Sequence, residues 1–591
     1  MAMDLPPYRG LRRKLVLAFD VGTTFSGVSY CVLDPGSVPE IKGVTRFPAH
    51  EQVSGASKIP TVLYYDGEGN VKAVGAEALQ EGIFEQAEEE GWVKAEWFKL
   101  HIRPKDNSTL SITQKIPPLP PGKTIIQVFA DYLSYLYTCA QAYIKDTHAN
   151  GADLWASFAE DDKEFVLSHP NGWEGWQQAQ IREAVVLAGL VKGGDAGGGK
   201  VHFISEGEAS LWFALKHGLP EGTMERGEGV VIVDAGGGTI DISTYQKPVG
   251  GVKFEEISAP KCHFYGSIFV SIHARLFIQE LLKESDYIDD LDHIIRCFDK
   301  TTKIRFSDDK MTQYVKFGST RDKDEEVGIR FGQLKLAGED VAKFFEPSIK
   351  SIVSTVEEGI RMGTHHITHV VLVGGFGASD WLFKELQKEL GSQGLKVVRP
   401  ELYVNKAVSD GAVSFHLSSV VQARIAKFSY GTLQNVEYNP SDPMHIARRG
   451  SMLTRMSGRR LIPCGFAVML AKGTRVSDDN EVKINLWREV DDKAQLAAVA
   501  FDVHCYQGSL DNPKFYDMDP MNFKKLCSIE VDLSHLPLVP EQRKNGGGSF
   551  YTVKYWVVLK FNSAELKAQM LWTENGIEKR SPARLVFYQD S

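Results

Sequence analysis

The chain has 591 residues, 43% of them hydrophobic and 24% charged, the proportions of a folded globular protein and not of a disordered one. Its 67 basic and 76 acidic side chains leave a net charge of −9, which argues against nucleic acid or an anionic membrane surface as a partner. At roughly 100–200 residues per domain, the length corresponds to about three to five structural units. Seven cysteines with no C-x-x-C pair read as reduced thiols, which points to a cytoplasmic or nuclear protein.

In chain order, Arg12, Arg13 and Lys14 precede the apolar run LVLAF, which stops at Asp20 and is too short for a secretory segment. No stretch reaches the roughly 18 apolar residues of a membrane span. LVLAFDVGTTFSGVSY at 15–30 predicts a buried strand ending at Asp20, a turn of small residues (Gly22, Thr23, Thr24) and an alternating second strand. IPPLPP at 116–121 reads as a polyproline loop. KGGDAGGGK at 192–200 and KNGGGS at 544–549 read as flexible loops.

Two phosphate-loop look-alikes fail. Gly194–Lys200 is followed by Val201, where magnesium binding needs Ser or Thr, and by the strand-like VHFIS where a helix must open. Gly122-Lys123-Thr124 lacks the first glycine, Pro117 standing in its place. His365, His366 and His369 read as a loop before a strand and not as a zinc site.

VVIVDAGGGTIDISTY at 230–245 repeats the design of 15–30, with Asp234 at the strand end, then Gly236, Gly237, Gly238 and Thr239. Either copy alone reads equally well as a structural glycine-rich hairpin. Two copies predict a duplicated α/β fold with one phosphate loop from each half facing the other across a cleft, because bare turns let backbone N–H groups approach a phosphate. Carboxylates beside such turns suit magnesium. HVVLVGGFGASDWLFKELQKEL at 369–390 adds a buried strand, the Gly374-Gly375-Phe376-Gly377 turn and an amphipathic helix capped by Ser379 or Asp380, an arrangement suited to a nucleoside. Beyond about residue 422, short β-branched and aromatic segments (CGFAVMLA, EVKINLWREV, AAVAFDVHCY, KLCSIEVDLS, YTVKYWVVLKF, LKAQMLWTE, RLVFYQ) predict about seven or eight strands of a sandwich.

These motifs, in this order, resemble the ATPase superfamily of actin, sugar kinases and 70-kDa heat-shock chaperones, and most closely the chaperones. DVGTTFSGVSY and DAGGGTIDIS resemble the two phosphate motifs and LVGGFGASDWL the adenosine motif. KIPTVLYYDGEGNVKAVGAEAL at 58–79 resembles the segment after the first hairpin, FISEGEASLWFAL at 203–215 the first connecting motif, and NKAVSDGAV at 405–413 the second. The resemblance spans roughly 13–422 and implies an α/β fold: a duplicated actin-like (ribonuclease H-like) two-lobed ATPase domain followed by a mostly β domain. Lobe I would cover 13–200, completed by about 396–422, lobe II 201–395, and a sandwich-like substrate-binding domain 423–591. The chain ends without a helical lid, a Leu-rich linker before the sandwich or an acidic tail, and so resembles the divergent, lidless branch.

By the same resemblance the cofactors are ATP or ADP and Mg²⁺, with Asp20 and Asp234 on the metal and Glu206 nearby. Gly22, Thr23, Thr24 and Phe25, with Gly236, Gly237, Gly238 and Thr239, would wrap the phosphates. Lys303, Ser307, Gly374, Gly375 and Phe376 would hold the nucleoside. Asp241 would orient the attacking water, and Lys99, with Lys94 as the weaker alternative, would be the catalytic lysine. Pro170 stands where the family has a proline relaying nucleotide state. Two departures bear on activity: Ala378 replaces an adenine-stacking arginine, and Asn405 replaces an acidic residue near the metal. The function implied is a slow, Mg-dependent ATPase coupled to binding of a polypeptide partner. A pseudo-ATPase scaffold is the alternative, and a sugar-kinase-type phosphotransferase a more distant one.

Overall fold

The computed structural model describes residues 5–52, 58–103, 116–173, 175–193, 199–217, 219, 227–251, 253–362, 366–400, 406–477, 480–562 and 565–585. Asn405, His365 and the glycines at 194–198 lie outside the described residues. The chain divides into two compact units, one of Met1–Trp173 with Gln180–Val421 and one of Glu174–Ala179 with Gln422–Ser591.

In the first unit, LVLAF lies in β1 (Lys14–Val21), where every position from Leu15 to Val21 is buried. A strand without an exposed face is covered on both sides of its sheet, which is why its apolar run is unbroken. β1 pairs antiparallel with β2 (Phe25–Leu33), and β2 with β3 (Ile41–Gly43). On its other side β1 pairs parallel with β4 (Lys163–His169), which pairs parallel with β5 (Val201–Ser205). The order is β3-β2-β1-β4-β5.

A second sheet repeats this plan. β6 (Gly229–Ala235) pairs antiparallel with β7 (Ile240–Gln246), and β7 with β8 (Phe254–His263). β6 pairs parallel with β9 (Ile367–Val373), and β9 with β10 (Lys396–Val398). Order and strand sense match the first sheet, so the repeat legible at two hairpins extends to five strands each.

The alternating second strands are not half-exposed. β2 and β7 are buried at nearly every position, and the polar residues of the alternation are bonded inside. Ser26 Oγ lies 2.7 Å from Thr61 Oγ1, Ser29 donates to Asp410 at 2.6 Å, and Ser243 accepts from Asn171 Nδ2 at 2.9 Å. Period two marked polarity here, not solvent.

Five helices matter to the site. α1 (Ile125–Thr147) opens on a reciprocal capping box of Thr124 and Gln127. α2 (Glu206–His217) begins at Glu206; α3 spans Ser267–Leu281 and α4 Asp380–Gly391, and Ser379 rather than Asp380 caps α4 by accepting from the Leu382 amide. α5 (Ala407–Leu417) packs on α2 so closely that a Cβ on Gly411 would stand 2.1 Å from the Ala209 carbonyl oxygen. Only glycine allows that crossing.

The second unit holds two antiparallel sheets. β11 (Ser429–Glu437), β12 (Arg460–Leu470), β14 (Val499–Tyr506) and β15 (Phe523–Val531) form one, in the order β12-β11-β14-β15; β13 (Glu481–Val490), β16 (Ser549–Asn562), β17 (Glu565–Glu574) and β18 (Ile577–Arg580) form the other, in the order β13-β16-β17-β18. Val503, Leu526, Val557 and Met570 share one core between them. β11 was not anticipated, because Gly431, Gln434 and Asn435 obscure its alternation. KNGGGS folds into an exposed turn: Arg543 N bonds Gly548 O at 3.0 Å, with Gly546 and Gly548 at φ 75 and 112°. RLVFYQ contributes a two-residue strand at Arg584–Leu585, and its remaining residues lie outside the described ones.

No helix among the described residues is long and apolar enough to cross a membrane. None of the seven cysteines, all among the described residues, is in a disulfide.

Candidate functional site

Register places the acidic residues. Asp20 is the last residue but one of β1 and Asp234 of β6, and Asp234 lies opposite Asp241 in the β6–β7 pair. The two small-residue turns do not merely face each other; they touch. A Cβ on Gly237 would stand 2.2 Å from Thr24 Oγ1, and one on Gly238 2.5 Å from Thr23 Oγ1. Any larger side chain there would force the turns apart. The second turn is braced from behind by the start of α3: the amides of Ser267 and Ile268 donate to the carbonyls of Gly236 and Gly237 at 3.1 and 3.0 Å.

Four buried carboxylates gather here, Asp20, Glu206, Asp234 and Asp241. Lys99 Nζ donates to Glu206 Oε1 at 2.7 Å and lies 5.6 Å from the Trp173 ring centre. Asp20 accepts from Lys58 Nζ at 2.6 Å and from Ser168 Oγ at 2.9 Å. Asp234 accepts from Ser210 Oγ at 2.7 Å, and Asp241 from the Asn171 backbone amide.

Burial dominates the titration of each group, and the lysines decide which carboxyls escape it. Burial pushes Asp20 up, but Lys58 and Lys99 outweigh it and hold Asp20 below its ordinary value. Burial and the nearby Glu206 charge push Asp234 up to about 7. Burial, then Glu206 and Asp234, raise Asp241 well above the carboxylate range. Burial also raises Glu206 despite Lys99. Lys99 would be lowered by burial, but Glu206 and Asp20 raise it above its usual value. Two lysines against four carboxylates leave the cluster short of positive charge.

A hard divalent cation supplies that charge, and an all-oxygen donor set of buried carboxylates is what Mg²⁺ prefers. Asp20 and Asp234 would hold the ion through its own waters, with Glu206 beside them, because the carboxylate oxygens do not close into a direct three-ligand set among the described residues.

Of the nucleoside residues, Phe376 is buried with its ring 6.0 Å from Phe345. Gly374 adopts φ 84°, and a Cβ there would lie 2.3 Å from Asp234 Oδ1, so the Gly374–Gly377 turn packs directly against the Asp234 carboxyl. Lys303 and Ser307 do not join the carboxylate cluster: Lys303 Nζ binds Asp299 at 3.0 Å and Ser271 Oγ at 2.9 Å, and the Ser307 carbonyl accepts from Lys384. Lys303 connects to the second turn only through α3, which carries Ser271. Arg305 and Ile304 are exposed, as is Ala378, whose carbonyl accepts from Arg399 at 3.0 Å. Phe25 is 44% exposed at the start of β2, and its carbonyl oxygen would lie 2.3 Å from a Cβ on Gly22. Lys94 pairs with Glu96 at 2.6 Å, away from the cluster, whereas Lys99 is buried inside it. His366 and His369 belong to no metal-capable group among the described residues.

Sequence reasoning missed Lys58, Ser168, Asn171, Ser210 and Trp173. Lys58 was findable as the charge opening the apolar run KIPTVLYY. The others carry no local signal, because each is brought to the site by its strand or helix from far along the chain.

Gly374→Ala should lower stability by about 2–3 kcal/mol, since alanine is strained at φ 84° and its methyl meets Asp234. Gly359→Ala, inside the helix Gly338–Met362 and with open space around it, should instead raise stability by about 0.5–1 kcal/mol. Urea denaturation of both variants checks this; equal effects would remove the close approach at Gly374.

No family model matches the chain. It is 23% identical to heat shock 70 kDa protein 12B of Homo sapiens over an alignment of 500 residues covering 71% of each protein. It is 21% identical to heat shock 70 kDa protein 12A of Homo sapiens and 22% identical to that of Mus musculus, each over 498 residues and 71% of both chains. Two hairpins of one design, a glycine-rich strand-to-helix turn and this similarity across most of the sequence converge: the chain is a distant homologue of heat shock 70 kDa proteins 12A and 12B.

Proposed function

We propose that the protein binds ATP and ADP with Mg²⁺ between the two glycine–threonine turns and hydrolyses ATP slowly, on a duplicated actin-like, two-lobed ATPase domain. The observation that carries this reading is the contact of Thr23 and Thr24 with Gly238 and Gly237, directly beside four buried carboxylates and Lys99. Bare turns present backbone N–H groups to phosphate, and the threonine hydroxyls add donors. Asp20 and Asp234 hold the ion, which when bound neutralises charge on the phosphate oxygens. Lys99, oriented by Glu206 and Trp173, points its charge at the terminal phosphate. Asp241, fixed by the Asn171 amide, positions the attacking water. Positioning and electrostatics of this kind provide most of the rate in phosphoryl transfer.

The β-rich second unit is the part available to grip a polypeptide, as its place after the ATPase-like region implies. Seven cysteines without a disulfide agree with work in the cytoplasm or nucleus.

A nucleotide-binding scaffold without turnover is the second reading. The ion pair between Lys58 and Asp20 favours it, because a fixed ammonium already sits on a carboxylate meant for the metal. Calorimetric titration of Mg-ATP followed by single-turnover hydrolysis, with and without hydroxyl acceptors, separates the readings. Binding with phosphate release to water supports the ATPase, and binding without turnover the scaffold. Transfer to an acceptor would make the protein a kinase, and absence of binding would sink all three.

A further inference from the structure

We propose that Glu164, His202 and His416 form a binding site for a zinc-class divalent cation, separate from the nucleotide-side carboxylates. Glu164 lies on β4, His202 on the adjacent β5 and His416 in the last turn of α5. Because His202 is the register partner of Val166, two residues from Glu164, the two side chains stand on the same face of the sheet. One ligand atom from each of the three residues lies within 4.8 Å of the other two, and all three residues are half-buried.

Glu164 Oε2 and His202 Nε2 are 2.7 Å apart, and the rings of His202 and His416 are 4.5 Å apart between centres. A Glu–His hydrogen bond accounts for the first pair. It does not account for a second imidazole brought against the first from another element. A cation accounts for all three, taking the place of the proton shared by Glu164 and His202, which leaves to solvent. Metal–ligand bonds of about 2.0–2.2 Å need only side-chain rotation from these separations. The other Glu164 oxygen accepts from Lys14 Nζ at 2.6 Å, which fixes the carboxylate as an outer-shell partner would.

Two imidazoles and one carboxylate select Zn²⁺ or Co²⁺ over Mg²⁺, and three protein ligands leave a fourth position for water. The site is remote from the proposed nucleotide. Glu164 pairs with Val16, four residues before Asp20 on β1, a separation of roughly 13 Å at about 3.3 Å per residue.

The test uses the full chain, stripped with a chelator and dialysed against Zn²⁺. About one zinc per chain is expected, with affinity lowered at least about tenfold in His416→Ala and in Glu164→Gln. Mg-ATP affinity should not change in His416→Ala. Co²⁺ should give a visible d–d spectrum without thiolate charge transfer, a readout independent of how the variants fold. Cys297, whose sulfur is 3.8 Å from His293 Nε2, is the competing locus. The proposal is overturned by a thiolate band, by loss of zinc in Cys297→Ser, by wild-type affinity in His416→Ala, or by a wild type that binds no zinc.

Discussion

Asp234→Asn is expected to stabilise the nucleotide-free, metal-free protein at pH 8 while removing most of its affinity for Mg-ATP. In the folded chain Asp234 holds its proton up to about 7, against an ordinary 3.8. Between those values the folded state keeps a proton that the unfolded state has released, so stability falls as pH rises through this window and the loss is complete above it. At 1.36 kcal/mol per unit the full loss is about 4 kcal/mol. Asparagine occupies the same volume, can still accept from Ser210, and carries no charge to desolvate. Its gain should therefore be absent near pH 4, grow through neutral pH and approach a few kcal/mol at pH 8. Mg²⁺ prefers the ionised carboxylate, so wild type recovers with metal what it loses without it, and the variant does not. Thermal unfolding at pH 4 and 8, with and without Mg²⁺ and ATP, reads both effects. A variant less stable than wild type at pH 8 without metal would show that burial does not raise Asp234. Equal loss of Mg-ATP and Mg-free ATP binding would remove it from the metal.

Lys99→Ala is expected to reduce hydrolysis by roughly 10²–10³-fold with a much smaller change in ATP affinity, because a charge aimed at the terminal phosphate acts mainly in the transition state. It also breaks a buried ion pair. Removing one partner of such a pair costs about 3–5 kcal/mol, and Glu206, already raised by burial, answers by taking up a proton. Lys99→Ala combined with Glu206→Gln should then regain much of the stability but none of the rate. Lys94→Ala is the control, since Lys94 pairs with Glu96 at about a third exposure, and exposed pairs contribute about 0–1 kcal/mol. Single-turnover rates and urea midpoints on these variants check the assignment. A rate loss in Lys94→Ala and not in Lys99→Ala would move the catalytic charge to the other lysine.

Much of this was legible in the chain because it is local. The apolar runs ending in Asp20 and Asp234 are buried strands, since a run of four or five apolar residues closed by a turn has few other ways to leave water. The glycines at 236–238 and 374 are bare because backbone or threonine stands where a Cβ would go, and glycine announces such crowding. Repetition, not either copy alone, made the phosphate reading persuasive, and Lys99 rather than Lys94 followed from its motif. What the tertiary structure alone decided is what each residue meets. Lys58 on Asp20, Asn171 on Asp241, Lys303 on Ser271, and the polar residues of β2 and β7 turned inward rather than to solvent all depend on partners that pairing and packing bring in from elsewhere. The same holds for the titration of the cluster. Asp20 and Asp234 are each last but one on equivalent strands before equivalent turns, yet one is held below its ordinary value and the other raised to about 7. The difference is which charges stand beside each buried carboxyl, Lys58 and Lys99 at Asp20 and Glu206 at Asp234, a property of the folded chain that no local pattern encodes.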